Sequence, residues 1–199
     1  MTTVAAIVAI VALLGTYLTW TAERIDRLNL RVEKADASLD AHLVRRSAAA
    51  DSFALAAAEA RLLPEQQLAE LRAVSAEARA HAHAGDRSAT ENALTLRILE
   101  AVLLLQHAIG GTAKDVTADG RNAGRFAEVT ADLAAASQRV DLARSFYNQA
   151  VRDAREHRAR LAPRLLHLAG RAALPPFVDL DDTTLPDPAE HPASRLHLP

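Results

Sequence analysis

The densest mixture of side chains that could do chemistry lies in residues 139–153, RVDLARSFYNQAVRD. Arginines, aspartates, a tyrosine and an asparagine stand close together there, in a chain otherwise dominated by alanine and leucine. Such a group can form a reactive cluster, a binding surface or only the polar face of a helix. Helical geometry is the first way to separate these cases.

Plotted at 100° per residue, the segment separates into an apolar and a polar arc. The apolar arc, roughly 180° wide, holds Val140, Leu142, Ala143, Phe146, Tyr147, Ala150, Val151 and Ala154. The opposite arc holds Asp141, Arg144, Ser145, Asn148, Gln149, Arg152 and Arg155. Arg139 and Asp153 fall inside the apolar edge, about 21 Å apart along the axis, so they cannot pair with each other. If buried, each requires a partner on another helix, because an unpaired buried charge is costly; Arg31 and Asp40 are the candidate partners.

This helix has two interpretations. The pattern favours a packed helix with a solvated polar stripe, and the alternative is a stripe that binds a partner through Arg144, Asn148 and Arg152. The candidate residues for partner contacts or for polar contacts between helices are therefore Arg139, Asp153, Arg144, Asn148 and Arg152.

The histidines provide the most ligand-like cluster. His81, His83 and Asp86 lie in HAHAGD, but histidines two apart point to different sides of a helix and could share a metal only in an extended segment. We interpret them as solvated residues at a helix end and predict no metal site. The chain also lacks nucleophile elbows, glycine-rich phosphate loops and kinase-like signatures, and it has no cysteine. We therefore predict no catalytic residue, no cofactor and no enzymatic activity.

The composition indicates an all-α protein. Half of the residues are hydrophobic and only 4% are aromatic, and the excess is alanine and leucine rather than the β-branched and aromatic residues that strands favour. The formal net charge of -2 gives no reason to expect a nucleic-acid partner. No small-molecule substrate is evident.

The N-terminus carries a candidate membrane anchor. Residues 4–20 contain no charge and would span roughly 25 Å as a helix, the short end of what a bilayer core requires. Tyr17 and Trp20 lie at its end, where interfacial aromatic residues belong. No basic residue precedes the apolar run, so an uncleaved anchor over residues 1–22 is favoured over a cleaved signal peptide. The alternative is a secreted bundle released by cleavage.

The basic residues predict the orientation of the anchor. None precedes the apolar segment, whereas Arg24, Arg27, Arg31 and Lys34 follow it closely. The excess of positive charge on cytoplasmic flanks then places the N-terminus outside and the rest of the chain in the cytoplasm.

The first helix is expected to continue beyond the anchor, because no proline or glycine occurs between Thr16 and Leu63. Apolar residues at 3-4-3-4 spacing form a heptad-like seam: Ile25, Leu28, Val32, Ala35 and Leu39. The seam weakens after Leu43, and Arg45 and Arg46 are expected on a solvated face or in a pair between subunits.

Three further helices are predicted. The second follows Pro64, and the third begins at Ser88, which forms a capping-box signature with Glu91, and ends near Gly110. Its centre, AVLLL at 101–105, is expected to be buried on all sides. A loop over 112–124 leads to a fourth helix from about residue 122 to about residue 168.

Short connections favour antiparallel neighbours. The predicted architecture is thus an N-terminal transmembrane helix that continues into an antiparallel up-and-down bundle of about four helices over residues 23–169. Residues 170–199 are rich in proline and acids and are expected to be disordered.

The chain resembles the LemA family of bacterial membrane-anchored helical proteins. The resemblance covers most of residues 24–182. It is carried by RLNLRVEKADASLDAHLVRR (27–46), by LLHLAGRAALPPFVDLDD at the end and above all by an R-[IV]-x-x-A-R-x-F-Y-N-x-A-V-R-D pattern over residues 139–153. Asp36 stands where the family has tryptophan, and AAADSFA (48–54) replaces a DLIPNLV-like element, so the chain looks like a divergent member.

The resemblance implies a membrane helix, an N-out and C-in arrangement and an antiparallel bundle, and it supplies no accepted enzymatic activity. The leading hypothesis is a non-enzymatic membrane scaffold or adaptor that binds a protein partner or self-associates. The alternative is a sensor or small-ligand-binding bundle at the membrane.

Overall fold

The computed structural model describes residues 1–83, 87–112, 120–159 and 176–180. These residues form four helices and no strand: α1 (Thr2–Glu59), α2 (Glu65–His81), α3 (Ser88–Thr112) and α4 (Gly120–Ala159). The all-α prediction is confirmed. The C-terminal part of the predicted fourth helix, beyond residue 159, lies outside the described residues. So does the predicted disordered tail, except for residues 176–180.

Helix α1 is continuous over 58 residues, as the absence of helix breakers predicted. Its N-terminal segment is the one helical stretch in the described part of the chain that is long and apolar enough to cross a membrane, and no part of it is buried. Thr16, Thr19 and Thr21 donate their hydroxyl groups to the carbonyls four residues earlier, at 2.9, 3.0 and 2.8 Å. Hydroxyl groups satisfied within the helix in this way are compatible with an apolar environment.

The end of α1 is formed by a residue that sequence patterns do not single out. Arg61 adopts a left-handed backbone with φ of 53°, a conformation more usual for glycine or asparagine. The turn lets the Leu62 N–H donate to the carbonyl of Ala57 at 3.0 Å. After Pro64 the chain enters α2, as predicted.

One compact unit contains the described residues between 39 and 143 together with residues 179 and 180. All four helices contribute to its apolar core, whose most deeply buried members are Ala50, Phe53, Ala54, Ala57, Leu71, Ala78, Leu94, Ile98 and Leu133. Ser47 meets Arg79, and Asp51 meets Arg72, so α1 and α2 run antiparallel. The chain reverses direction again at α3 and once more at α4, whose Arg125 pairs with Glu59 of α1 at 2.8 Å. The helices therefore follow the predicted up-and-down order.

The other unit contains residues 1–38, 144–159 and 176–178. Its helical segments from α1 and α4 run antiparallel, because Arg158 donates to Asn29 at 2.7 Å and Arg31 pairs with Asp153. Ile25 and Val32 of the predicted seam are buried in it.

Several details of the helices differ from the predictions. Helix α3 continues through Gly110 and Gly111 to Thr112, and α4 begins at Gly120, inside the expected loop. Leu103 is 52% exposed, so the centre of α3 is not buried on all sides. Leu142 and Phe146 of the predicted apolar arc are exposed as well. A helix buries only the side that its neighbours cover, and sequence periodicity does not say how wide that side is.

Candidate functional site

The polar stripe of α4 holds a segment of the chain that follows it. The Asn148 side-chain amide donates from Nδ2 to the Val178 carbonyl at 2.8 Å, and its Oδ1 accepts from the Val178 N–H at 3.0 Å. The hydroxyl of the preceding residue, Tyr147, donates to the Pro176 carbonyl at 3.0 Å. The main chain of residues 176–178 is therefore fixed by two adjacent side chains of the FYN motif.

Side chains of the same segment also contact α4. The guanidinium of Arg155 lies 4.3 Å from the centroid of the Phe177 ring, within the range of a cation–π interaction. Val178 is buried, while Phe177 remains 45% exposed. These residues belong to the predicted C-terminal tail and have a defined place, because the amide of Asn148 bonds both main-chain groups of Val178 and the Val178 side chain is buried.

The structure distributes the other candidate residues of α4 over different environments. Asp153 pairs with Arg31 at 3.4 Å, one of the two pairings anticipated from the helical plot. Arg139 is exposed, and Asp40 is engaged by Arg87 and His83, so the second pairing was wrong. The reason is that Arg139 lies outside the buried edge and needs no counter-charge. Both Arg144, half-buried, and Arg152, exposed, lie on the same helical stripe as Asn148.

A second polar group, not anticipated from the sequence, lies inside the core of the four-helix unit. Arg46 and Glu91 are almost completely buried, with side-chain exposures of 6% and 0%. Their guanidinium and carboxylate are hydrogen-bonded to each other. The guanidinium also donates to the Thr95 hydroxyl and to the Glu91 carbonyl, each at 3.2 Å. The expectation that Arg46 lies on a solvated face or between subunits was wrong.

The capping-box interpretation of Glu91 was also wrong. Helix α3 does begin at Ser88, but the Glu91 carboxylate binds Arg46 instead of the backbone at the helix start. The signal for the burial of Arg46 was its position, because it continues the 3-4 spacing of Leu39, Leu43 and Ala50, all fully buried.

Burial raises the pKa of the Glu91 carboxyl above its ordinary value of 4.5, and the positive charges of Arg46 and Arg87 oppose this effect without cancelling it. In the described part of the chain, Oε1 of Glu91 and Nε of Arg46 have no hydrogen-bond partner. A buried carboxyl with one unsatisfied oxygen loses more from ionisation than an exposed one does.

The raised pKa predicts a pH-dependent stability. Between pH 4.5 and the pKa in the folded state, the folded chain retains a proton that the unfolded chain has lost, so the contribution of Glu91 to the free energy of unfolding decreases as pH rises. Glu91→Gln cannot titrate. The difference in unfolding free energy, wild type minus Glu91→Gln, is therefore expected to fall with increasing pH in denaturant titrations. A difference that stays constant or rises would contradict the pKa direction.

The histidines of HAHAGD do not meet. His81 Nδ1 lies 3.0 Å from the Glu77 carbonyl of its own helix, while His83 Nδ1 lies 2.8 Å from the Asp40 carboxylate. Asp86 is outside the described residues. No group of three or more metal-ligating side chains occurs in the ranges that the structure covers.

Comparison with known proteins places this chain next to none of them. No family model, no curated protein and no solved structure matches it.

Proposed function

We propose that the chain is a non-enzymatic single-pass membrane protein, related to the LemA family, whose helical bundle acts as a scaffold or adaptor on the cytoplasmic side of a bacterial envelope. The observation that supports this most directly is the build of α1. One uninterrupted helix holds both the exposed apolar segment and the core residues Leu43 and Phe53 of the bundle. A bundle built on such a helix is tethered at the membrane.

Exposed apolar side chains on the bundle helices support a role in assembly. Leu96 and Leu103 of α3 are 57% and 52% exposed, and with Leu99 they line an open groove that also touches Gln67 of α2. Groups of apolar side chains that stay in contact with water are typical of protein-binding surfaces. The orientation follows from the basic residues after the anchor and from the family resemblance.

Photocrosslinking in intact membranes tests the scaffold function. A photoreactive phenylalanine analogue in place of Phe146, which is 58% exposed, is expected to give a defined adduct with one protein or with a second copy. The matched control is the same substitution in a chain lacking residues 2–20, which is expected to lose the adduct. The absence of any adduct at Phe146 and at Leu103, together with a monomeric mass in detergent, would contradict the proposal.

A second candidate function, a sensor or small-ligand-binding bundle, is favoured by one observation. Oε1 of Glu91 and Nε of Arg46 are buried polar atoms without a partner among the described residues, and such atoms attract water or small polar molecules. A small polar ligand that raises the melting temperature of the wild type but not of Glu91→Gln would support this function. Equal shifts in both proteins would exclude a site at Glu91.

A further inference from the structure

The contact between α4 and residues 176–178 has the chemistry of a peptide-binding site. Asn148 bonds both main-chain groups of Val178, and Tyr147 bonds the main chain of Pro176. Hydrogen bonds to the main chain of an extended segment provide affinity for peptides in general, and places for particular side chains provide specificity.

The side chains of the segment define what the site selects. Val178 occupies a buried position and Phe177 stacks with Arg155. The site therefore fits an extended segment in which an aromatic residue is followed by a β-branched aliphatic residue.

The length of the intervening chain permits exchange between copies. Helix α4 ends at Ala159, and returning from there to Asn148 requires roughly 16 Å along the helix. Residues 160–175 join the end of α4 to the segment, and a chain of that length spans at most roughly 55 Å. This upper limit exceeds the return distance, so chain length does not confine the segment to its own α4, and anchoring in one membrane raises the concentration of neighbouring copies.

We propose that this α4 face is a peptide-binding site and that residues 176–178 of a second copy occupy it in exchange for the chain's own segment. The proposal rests on the proposed scaffold function and gives it a self-association mechanism. The chain's own segment competes for the site at a high effective concentration. Exchange between copies is therefore expected where the copies are crowded in the membrane.

Two complementary full-length variants with different tags test the exchange. Asn148→Ala disables the site and keeps the segment, whereas Val178→Asp disables the segment and keeps the site. Neither variant can associate with itself through this contact, but the segment of the first can occupy the site of the second. Co-expressed in one membrane, the two are expected to co-purify at least tenfold more efficiently than either variant with a differently tagged copy of itself. Equal recovery in all pairings, or recovery of a foreign protein by Val178→Asp in place of its partner variant, would overturn the proposal.

A binding measurement in detergent separates this proposal from the membrane scaffold. A labelled peptide of residues 174–182 is expected to bind the Val178→Asp protein at least tenfold more tightly than the wild type, whose own segment competes. Asn148→Ala in that background is expected to abolish binding, whereas Gln149→Ala, at an exposed position on the same helix, is expected to preserve it. Circular dichroism checks that each variant is helical. Absence of binding to the Val178→Asp protein overturns the peptide site and leaves the scaffold function standing, since this assay needs neither a membrane nor a partner.

Discussion

Glu91→Ala is expected to lower the free energy of unfolding by about 3–5 kcal/mol, the usual effect of removing one partner from a buried ion pair. The substitution leaves the Arg46 guanidinium, only 6% exposed, without its counter-charge in the core of the four-helix unit. Urea-induced loss of the far-ultraviolet circular dichroism of the full-length protein in detergent measures this effect.

Two controls separate the buried charge from other consequences of the substitution. Glu100→Ala removes a carboxylate from the same helix whose side chain is 48% exposed, and surface ion pairs contribute about 0–1 kcal/mol. The double variant Arg46→Met with Glu91→Leu replaces the pair by apolar side chains and is expected to be near-neutral or stabilising. If Glu91→Ala lowers the free energy of unfolding as little as Glu100→Ala does, the Arg46 guanidinium is not buried in the way that the structure shows.

Two charges in the apolar segment of α1 are expected to release the protein from membranes. Val8 and Val11 are 62% and 63% exposed, and an arginine near the centre of a membrane helix costs about 2.5–3.5 kcal/mol for insertion. The Val8→Arg, Val11→Arg variant is therefore expected in the soluble fraction after alkaline carbonate extraction, where the wild type stays in the pellet.

The control is Leu30→Arg, which introduces one arginine at a position of the same helix that is 52% exposed but lies beyond the apolar segment. It is expected to remain in the pellet. Retention of the doubly charged variant in the membrane would mean that another part of the chain binds the bilayer.

The helices could be predicted because their signals are local. The absence of proline and glycine predicted the continuity of α1, and Pro64 marked the start of α2. The end of α1 could not be predicted, since the left-handed residue is Arg61 rather than a glycine. Exposure was harder to predict than helicity: Leu142 and Phe146 lie on an apolar arc, yet the covering elements leave them open to solvent.

The polar sites show a similar division between local and non-local information. The spacing of the α1 seam places Arg46 in line with Leu43 and Ala50, so its burial was implicit in the sequence. Its partner was not, because bonding Glu91 depends on the axial register of α1 against α3. Likewise, Asn148 was identified as a candidate contact residue, but nothing in the sequence around it indicated that its amide would bond the main chain of Val178.

The central claim is that α1 crosses a membrane and that the bundle lies on its cytoplasmic side. Cysteine accessibility tests this claim most directly. The chain contains no cysteine, so Thr3→Cys and Glu77→Cys, both at exposed positions, provide single reporters in the full-length protein. A membrane-impermeant maleimide added to intact cells is expected to label Thr3→Cys, and to label Glu77→Cys only after permeabilisation. Labelling of Glu77→Cys in intact cells, or a mature chain that begins after Trp20, would contradict the account.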